Sequence, residues 1–427
     1  MKDLLRQVFA RTIADLDPTH TMQRMASTSL LRQARHHPLL VVAFGKAARS
    51  MTNALVAALP GATMRGLVVP PEPDDAPLPP FEVIAGGHPL PTGGSMRAAC
   101  RAIELAQSVR TDEIAVFLVS GGGSATFELP GDPAVTLDEL RTLYGELVGS
   151  GAGIVAINTV RRHLSAVKGG RLALAASAAF AQLTLIVSDT PTPWNVGAVA
   201  SGCTTPELTT IDDCRSVLDR LRLWPAVPPA LRSRLQLGDL LPPMARDHEL
   251  VRRITVVLVQ DERDSRHFAR RHLAHAGVAV FDDDTTDDWP YERAASHLLA
   301  RLDRLRRRHP SHPVAIVAGG ELSVPLPPSP GTGGRNQQFA LACARRIRGR
   351  PITVLSCGTD GIDGNSPAAG AIVDGTTMAR ARRRGLDVHD ALRRCDAFPL
   401  LHALADTVIT GPTGTNVRDL RVLVHGS

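Results

Sequence analysis

Residues 39–45 read LLVVAFG, and residues 46–59 continue KAARSMTNALVAAL. An apolar run of six residues closed by glycine has the length of a strand buried on both faces, and the apolar positions after it recur at helical spacing. The same order of strand, glycine turn and helix returns at 114–120 (IAVFLVS), ahead of GGGSA at 121–125. A third apolar run, LTLIVS at 183–188, ends at Asp189. Short, wholly apolar runs separated by helices predict the α/β class, with a largely parallel sheet covered by helices on both faces. Ligands of such sheets bind beyond the carboxyl ends of the strands, which is where Lys46, Ser120 and Asp189 fall.

At 427 residues the chain exceeds what one hydrophobic core supports, so two α/β domains are expected. Prolines gather between 224 and 243, and a second series of apolar runs follows at 254–259, 278–281, 314–318 and 352–356. This predicts a first domain over 1–245 and a second over 246–427. The segment 407–424 reads as two short strands about a Gly/Pro/Thr loop, folding back onto the first domain.

Composition narrows the function. Aromatics make up only 4% of the chain, which argues against a base-stacking nucleic-acid surface. The net charge of +6 comes from 48 basic residues dispersed among 42 acidic ones, a balance that suits anionic small molecules. The basic run at 301–309 (RLDRLRRRH) reads as a solvated helix face, and the acids of 282–288 as a solvated loop. Six cysteines without a CxxC pair predict neither disulfides nor a zinc knuckle, and point to a reducing, cytoplasmic setting. No apolar run reaches 18 residues, so no membrane association is expected. A homodimer is compatible with this reading.

Only three of the 48 basic residues are lysines: Lys2, Lys46 and Lys168. In so arginine-biased a chain an internal lysine marks a place that needs a compact ammonium, which singles out Lys46 and Lys168. Ser120, Gly121, Gly122, Gly123 and Ser124 (SGGGS) follow a strand, an arrangement that aims main-chain N–H groups at an anion. GTGGRN at 331–336 opens a helix and adds Arg335 to Gly333, Gly334 and Asn336. Neither stretch matches the P-loop or the dinucleotide fingerprint. In NTVRRHLSAVKGGRL (158–172), Arg161, Ser165, Lys168 and Arg171 share one helix face, read as an anion contact. CGTDGIDG (357–364) presents Asp360 and Asp363 at a strand end, suited to magnesium or a general base.

Taken together, FGKAARSM, GGHPLP, SGGGSA, NTVRRHLSAVKGGRLA, GGELSV, GTGGRNQQFALACA, GTDGIDG, AAGAIVDG and TGPTGTNVRDLRV stand in an order that resembles the glycerate 2-kinase family, whose C-terminal part is called MOFRL. The resemblance runs over roughly the whole chain. It implies an ATP- and magnesium-dependent kinase, with its active site in a cleft between two α/β domains, phosphorylating glycerate to 2-phosphoglycerate by default. It also implies catalytic roles for Lys46 and Arg335, which suits a reaction catalysed by positioning and charge neutralisation. Asp189 is assigned to magnesium or to the substrate hydroxyl proton, and Asp360 to the metal or nucleotide. Lys168, Asn416 and the two glycine-rich turns are assigned to ATP, and His88, Asn158 and Arg161 to the acceptor. The sequence departs from the family pattern at Thr92, Gly153, Ala156, the TPTPWN segment after Asp189 and GNSPAAG, all places where acids are usual. These losses suggest a second reading, the same chemistry on another hydroxylated carboxylate. An NAD(P)H-dependent hydroxypyruvate reductase and a non-catalytic nucleotide-binding protein are the rivals from other classes.

Overall fold

The computed structural model describes residues 1–26, 29–73, 76–191 and 197–426, without the side chains of residues 29 and 30. Most of the TPTPWN segment lies outside the described residues. The chain divides into two compact units, one formed by Pro18–Val259 and the other by Met1–Asp17 together with Gln260–Ser427.

In the Pro18–Val259 unit six strands form one sheet: β1 (Leu39–Phe44), β2 (Met64–Val69), β3 (Phe81–Val83), β4 (Ile114–Ser120), β5 (Ala181–Val187) and β6 (Ile254–Gln260). Their order is β3-β2-β1-β4-β5-β6. Pairing is parallel from β3 through β5. Every residue of β1 and β4 is buried, as their unbroken apolar sequences require. One face is covered by the helix Gly93–Gln107, whose Ala98, Ala99, Ala102 and Ala106 let it lie close to the strands. Phe44 and Phe127 stack in the same core with ring centroids 4.5 Å apart.

A separate helical core belongs to this unit. Leu140, Leu143, Tyr144 and Leu147 of the helix Leu137–Gly149 pack with Val160 and Leu164 of the helix Ile154–Leu164 and with Leu231 and Leu235. The proline-rich stretch therefore is no linker. Pro229 opens the helix Pro229–Leu237, where its missing N–H costs nothing, and that helix buries Leu231 and Leu235. The chain passes between the units at Val259/Gln260, after β6 has joined the first sheet, and not at 245/246.

The other unit holds β7 (Ala279–Asp283), β8 (Val314–Ala318), β9 (Ile352–Gly358), β10 (Gly370–Asp374), β11 (Thr407–Val408) and β12 (Asp419–His425), in the order β11-β10-β9-β12-β8-β7. The strands β7, β8 and β9 run one way, but β12 lies antiparallel between β8 and β9, so this sheet is mixed where a largely parallel one was expected. The segment 407–424, expected to fold back on the first domain, supplies two strands to the sheet of the Gln260–Ser427 unit. The reason is apolar burial: all of β12 up to Val424 is buried, with neighbours on both edges. The N-terminal helix Lys2–Asp15 also belongs here, because Leu5, Val8 and Phe9 complete the core beneath Ala269 and Leu273.

The two charged runs behave differently from expectation. Asp283 is buried and holds Arg301 of the basic run, while Asp287 holds Arg418, with Oδ1 2.6 Å from Nη2. The acids of 282–288 are in part counter-ions and not a solvated loop. No helix among the described residues is long and apolar enough to cross a membrane.

Two of the departures from the family pattern fall at helix starts. Thr92 is the N-cap of Gly93–Gln107 in a reciprocal capping box with Ser95, and Gly153 is the N-cap of Ile154–Leu164. Asp, Thr and Gly are all accepted at such positions, with Gly only a few tenths of a kcal/mol behind Asp. Thr92→Asp is therefore expected to leave stability unchanged, whereas Thr92→Ala loses about 0.5–2 kcal/mol. Denaturant unfolding of the two variants checks this.

Candidate functional site

The strand order places a reversal between β1 and β4, since β2 continues from β1 one way and β5 from β4 the other. Loops leaving the carboxyl ends of such neighbours diverge and open a crevice. Here those loops are Gly45–Lys46 and Gly121–Gly123. They are bonded together: Lys46 N–H donates to Gly121 C=O at 2.8 Å, and Ala47 N–H to Ser120 Oγ at 3.0 Å. Ser120 is fully buried and donates in turn to Phe44 C=O at 3.2 Å. Its hydroxyl is thus committed to fixing the turn that carries Lys46, and is not a phosphate contact as the sequence suggested.

Glycine is needed here for room as well as for conformation. At Gly45, with φ +105°, a Cβ would lie 2.5 Å from both Ser120 oxygens. At Gly121 it would lie 1.9 Å from Asp189 Oδ2, and at Gly122, with φ +79°, 2.9 Å from His88 Cδ2 and 3.3 Å from Lys46 Cγ. The bare main chain of the SGGGS turn is what lets Lys46, His88 and Asp189 crowd against it. An ammonium, an imidazole and a carboxylate around one glycine turn can bind an anion and manage a proton.

The far end of the turn is tied to the next helix. Ser124 Oγ lies 2.8 Å from Ser201 Oγ, which donates to Asn158 Oδ1 at 2.8 Å, and Asn158 Nδ2 donates to Ala198 C=O at 3.3 Å. Ala200, Ser201 and Gly202 all have positive φ, of 50°, 56° and 67°. Two consecutive non-glycine residues in that region cost about 1–3 kcal/mol each, strain of the kind kept at functional loops. Asn158 is thereby brought to the SGGGS turn.

Lys168 is not. Its side chain is fully buried, its ammonium is paired with Glu128, and it also donates to Phe127 C=O at 3.2 Å. Tyr144 donates its hydroxyl to the same Glu128. Burial first, and Glu128 second, hold the Tyr144 phenol well above its ordinary pKa, so it stays a donor. An anion cannot reach Lys168. Arg161, in contrast, is half-buried, with its guanidinium over the Tyr144 ring at 4.8 Å.

In the other unit Arg335 is the first residue of the helix Arg335–Arg346. Its Nε donates to Asp419 Oδ2 at 2.7 Å, and its Nη2 lies 3.2 Å from Asp419 Oδ1 and 2.7 Å from Glu321. Burial opposes the charge on Arg335, but Asp419 and Glu321 outweigh it and raise its pKa. The turn before this helix was expected to cradle a phosphate. It is already occupied from within: Asp363 accepts the main-chain N–H groups of Asn336 and Gln337 at 3.0 and 2.9 Å, and both their side-chain amides at 3.2 and 3.0 Å. Gly333 N–H goes to Asn365 at 2.8 Å, and Gly334 has no Cβ because Asp363 Oδ1 would lie 2.3 Å from it. The Asn336 carboxamide is likewise spent, its Oδ1 accepting from Ser356 at 2.6 Å.

Asp360 is half-buried, and its Oδ1 lies 3.0 Å from where a Gly358 Cβ would stand, with Asp419 Oδ1 at 3.6 Å. Asn416 is buried and caps the Arg418 N–H at 3.3 Å. Asp419, Glu321 and Glu128 were missed in the sequence. The signal for Asp419 was present in DLRVLVH, where charges interrupt an otherwise apolar strand.

Among described residues no three His, Cys, Asp or Glu side chains converge as a metal site.

Asp363 carries a pH signature. It is buried, and burial pushes its pKa up to about 6 from 3.8 despite its four donors. Because the folded value is the higher one, protonated Asp363 favours the fold below about pH 4, and that stability, on the order of a few kcal/mol, is lost as pH rises through 6. Asp363→Asn is expected to flatten the unfolding free energy between pH 4 and 6, as measured by denaturant titrations at each pH.

Two family models match the chain: a domain of unknown function, DUF4147, over residues 4–236, and the MOFRL family over residues 314–419. The chain is 33% identical to a Pyrococcus horikoshii glycerate 2-kinase, over 90% of this chain and 86% of that protein. It is equally close, 33% over 100% of this chain and 94% of the other, to an Agrobacterium vitis protein named only provisionally as a hydroxypyruvate reductase. Its fold is similar to the crystal structure of a glycerate kinase from Thermotoga maritima, with a TM-score of 0.86, 30% identity and 99% of both chains covered.

Proposed function

The chain belongs to the glycerate 2-kinase family, and we propose that it transfers the γ-phosphoryl group of ATP to a hydroxyl of glycerate, giving 2-phosphoglycerate. The observation that carries this reading is the crowding of Lys46, His88 and Asp189 against the Cβ-free turn Gly121–Gly122 at the sheet's reversal point. Phosphoryl transfer asks for little else from a protein than alignment of the phosphates and neutralisation of the charge that spreads over the moving group.

In this proposal the main chain of the SGGGS turn seats the polyphosphate, and Lys46 holds its charge. Within its own unit Arg335 is kept in one orientation by Asp419 and Glu321. Asp189 takes the proton of the attacking hydroxyl, and Asn158, Arg161 and His88 hold the acceptor. The residues present fit a magnesium ion carried in on the nucleotide, because such an ion keeps mostly phosphate and water oxygens and needs only one or two carboxylates. Asp189, the carboxylate at this turn, would supply one in place of its proton role, and the ion would screen the β- and γ-phosphates.

The reductase name borne by some relatives meets an obstacle in this chain: the turns after β1 and β4 lack the GxGxxG spacing that brings a pyrophosphate against a helix.

The assay is incubation with ATP, magnesium and D-glycerate, followed by phosphorus NMR of the product. The expected product is 2-phosphoglycerate. Phosphate on the 3-hydroxyl, or consumption of NADPH with hydroxypyruvate in place of ATP turnover, would overturn the proposal. Lys46→Arg is expected to lower kcat about 10²–10³-fold although the charge is kept, because a planar, forked guanidinium does not replace a compact ammonium against the phosphates. A wild-type rate in steady-state kinetics would remove Lys46 from the chemistry.

A further inference from the structure

The buried group of Tyr144, Glu128 and Lys168 has no part in the reaction as described so far. Tyr144 is 2% exposed, and its hydroxyl and the Lys168 ammonium both rest on Glu128, with the two charged side chains wholly buried. A buried ion pair is no better for stability than apolar packing of the same volume, so its presence asks for another reason.

The reason lies on the ring face. The Arg161 guanidinium covers it at 4.8 Å, and Arg161 Nε is buried with no acceptor among the described residues. The neighbouring Arg162, in contrast, is spent on Glu207 at 2.8 Å. Lys168 and Glu128 neutralise each other, which leaves the charge of Arg161 uncompensated within the assembly. Arg161 also stands one helical turn beyond Asn158, which Ser201 ties to Ser124 of the glycine turn. Side chains three apart share a helix face, so Arg161 is on the side of the helix that serves the site.

We propose that Tyr144 is a positioning residue, anchored by Glu128 and Lys168, that holds the Arg161 guanidinium to receive the carboxylate of the acceptor. The inference rests on the kinase reading above and names how that site selects an acid. Stacking occupies one face of the guanidinium and leaves its N–H edge free, and that edge matches a carboxylate with two parallel hydrogen bonds. Lys168 takes its place as a compact ammonium shared between Glu128 and the Phe127 carbonyl, where a forked guanidinium would not fit.

The test is steady-state kinetics of the full chain with glycerate and ATP varied separately. Arg161→Ala is expected to raise KM for glycerate about tenfold to a hundredfold, with KM for ATP moving far less, and Arg161→Lys to recover only part of the loss. Tyr144→Phe keeps the ring and the fold but frees it from Glu128. It should raise KM for glycerate in the otherwise native chain and add nothing in the Arg161→Ala background, since a residue that acts through another has no effect once that one is gone. Glycerate KM at the native value in Arg161→Ala would overturn the proposal, as would an equal rise from Tyr144→Phe in both backgrounds. A native chain that transfers phosphate from ATP to no hydroxy acid would overturn the kinase reading itself, and the carboxylate role with it.

Discussion

A charge withdrawn from water must meet an opposite charge or a dipole, and in this arginine-rich chain that requirement organises both units. Lys168 meets Glu128, Arg162 meets Glu207, and Arg418 lies 2.8 Å from Glu262 and 2.6 Å from Asp287. Arg421, wholly buried inside β12, is held by the carbonyls of Gly319 and Gly320. These cations cannot also serve a ligand. Arg335 with its carboxylate clamps and Arg161 on its ring are held differently, less deeply buried and with part of the guanidinium edge toward the surface. Sorting basic residues by partner therefore separates scaffold from site more sharply than sorting them by motif.

That sorting marks the limit of what the sequence conveyed. β1 and β4 were legible because a strand buried on both faces must be apolar throughout, and the glycine turns because close approach excludes a Cβ. The rarity of lysine singled out Lys46, whose main-chain N–H joins the glycine turn at Gly121. The same argument misled at Lys168, since its partner Glu128 lies 40 residues earlier and on no shared element. GTGGRN misled in the same way: the carboxylate that fills its helix N-terminus, Asp363, comes 27 residues later than Asn336. A local pattern can say that an anion belongs at a helix start, but not whether the protein brings its own. The membership of the Lys2–Asp15 helix was hidden for the same reason, its partners Ala269 and Leu273 lying in the opposite half of the chain.

The missing family acids take on a plainer meaning in this light. Thr92 and Gly153 each begin a helix, and a carboxylate, a hydroxyl or a bare glycine can do that work. Their replacement leaves both helix starts intact. Ala156 is different, since it is half-buried in the first turn of the helix that presents Asn158 and Arg161.

The position of β12 has a consequence for how the chain is made. The helix Lys2–Asp15 is synthesised ahead of both sheets, yet the sheet it covers is held together by a strand some 400 residues downstream, inserted between β8 and β9. At about 5–20 residues per second, the apolar face of that helix spends roughly 20–80 s on the ribosome before its sheet exists. The Pro18–Val259 unit can complete its core within that interval, because all of its strands but the edge strand β6 have emerged by residue 187. Synthesis thus runs in the order middle first and ends last, and the cell's chaperones have the N-terminal helix to shield in the meantime.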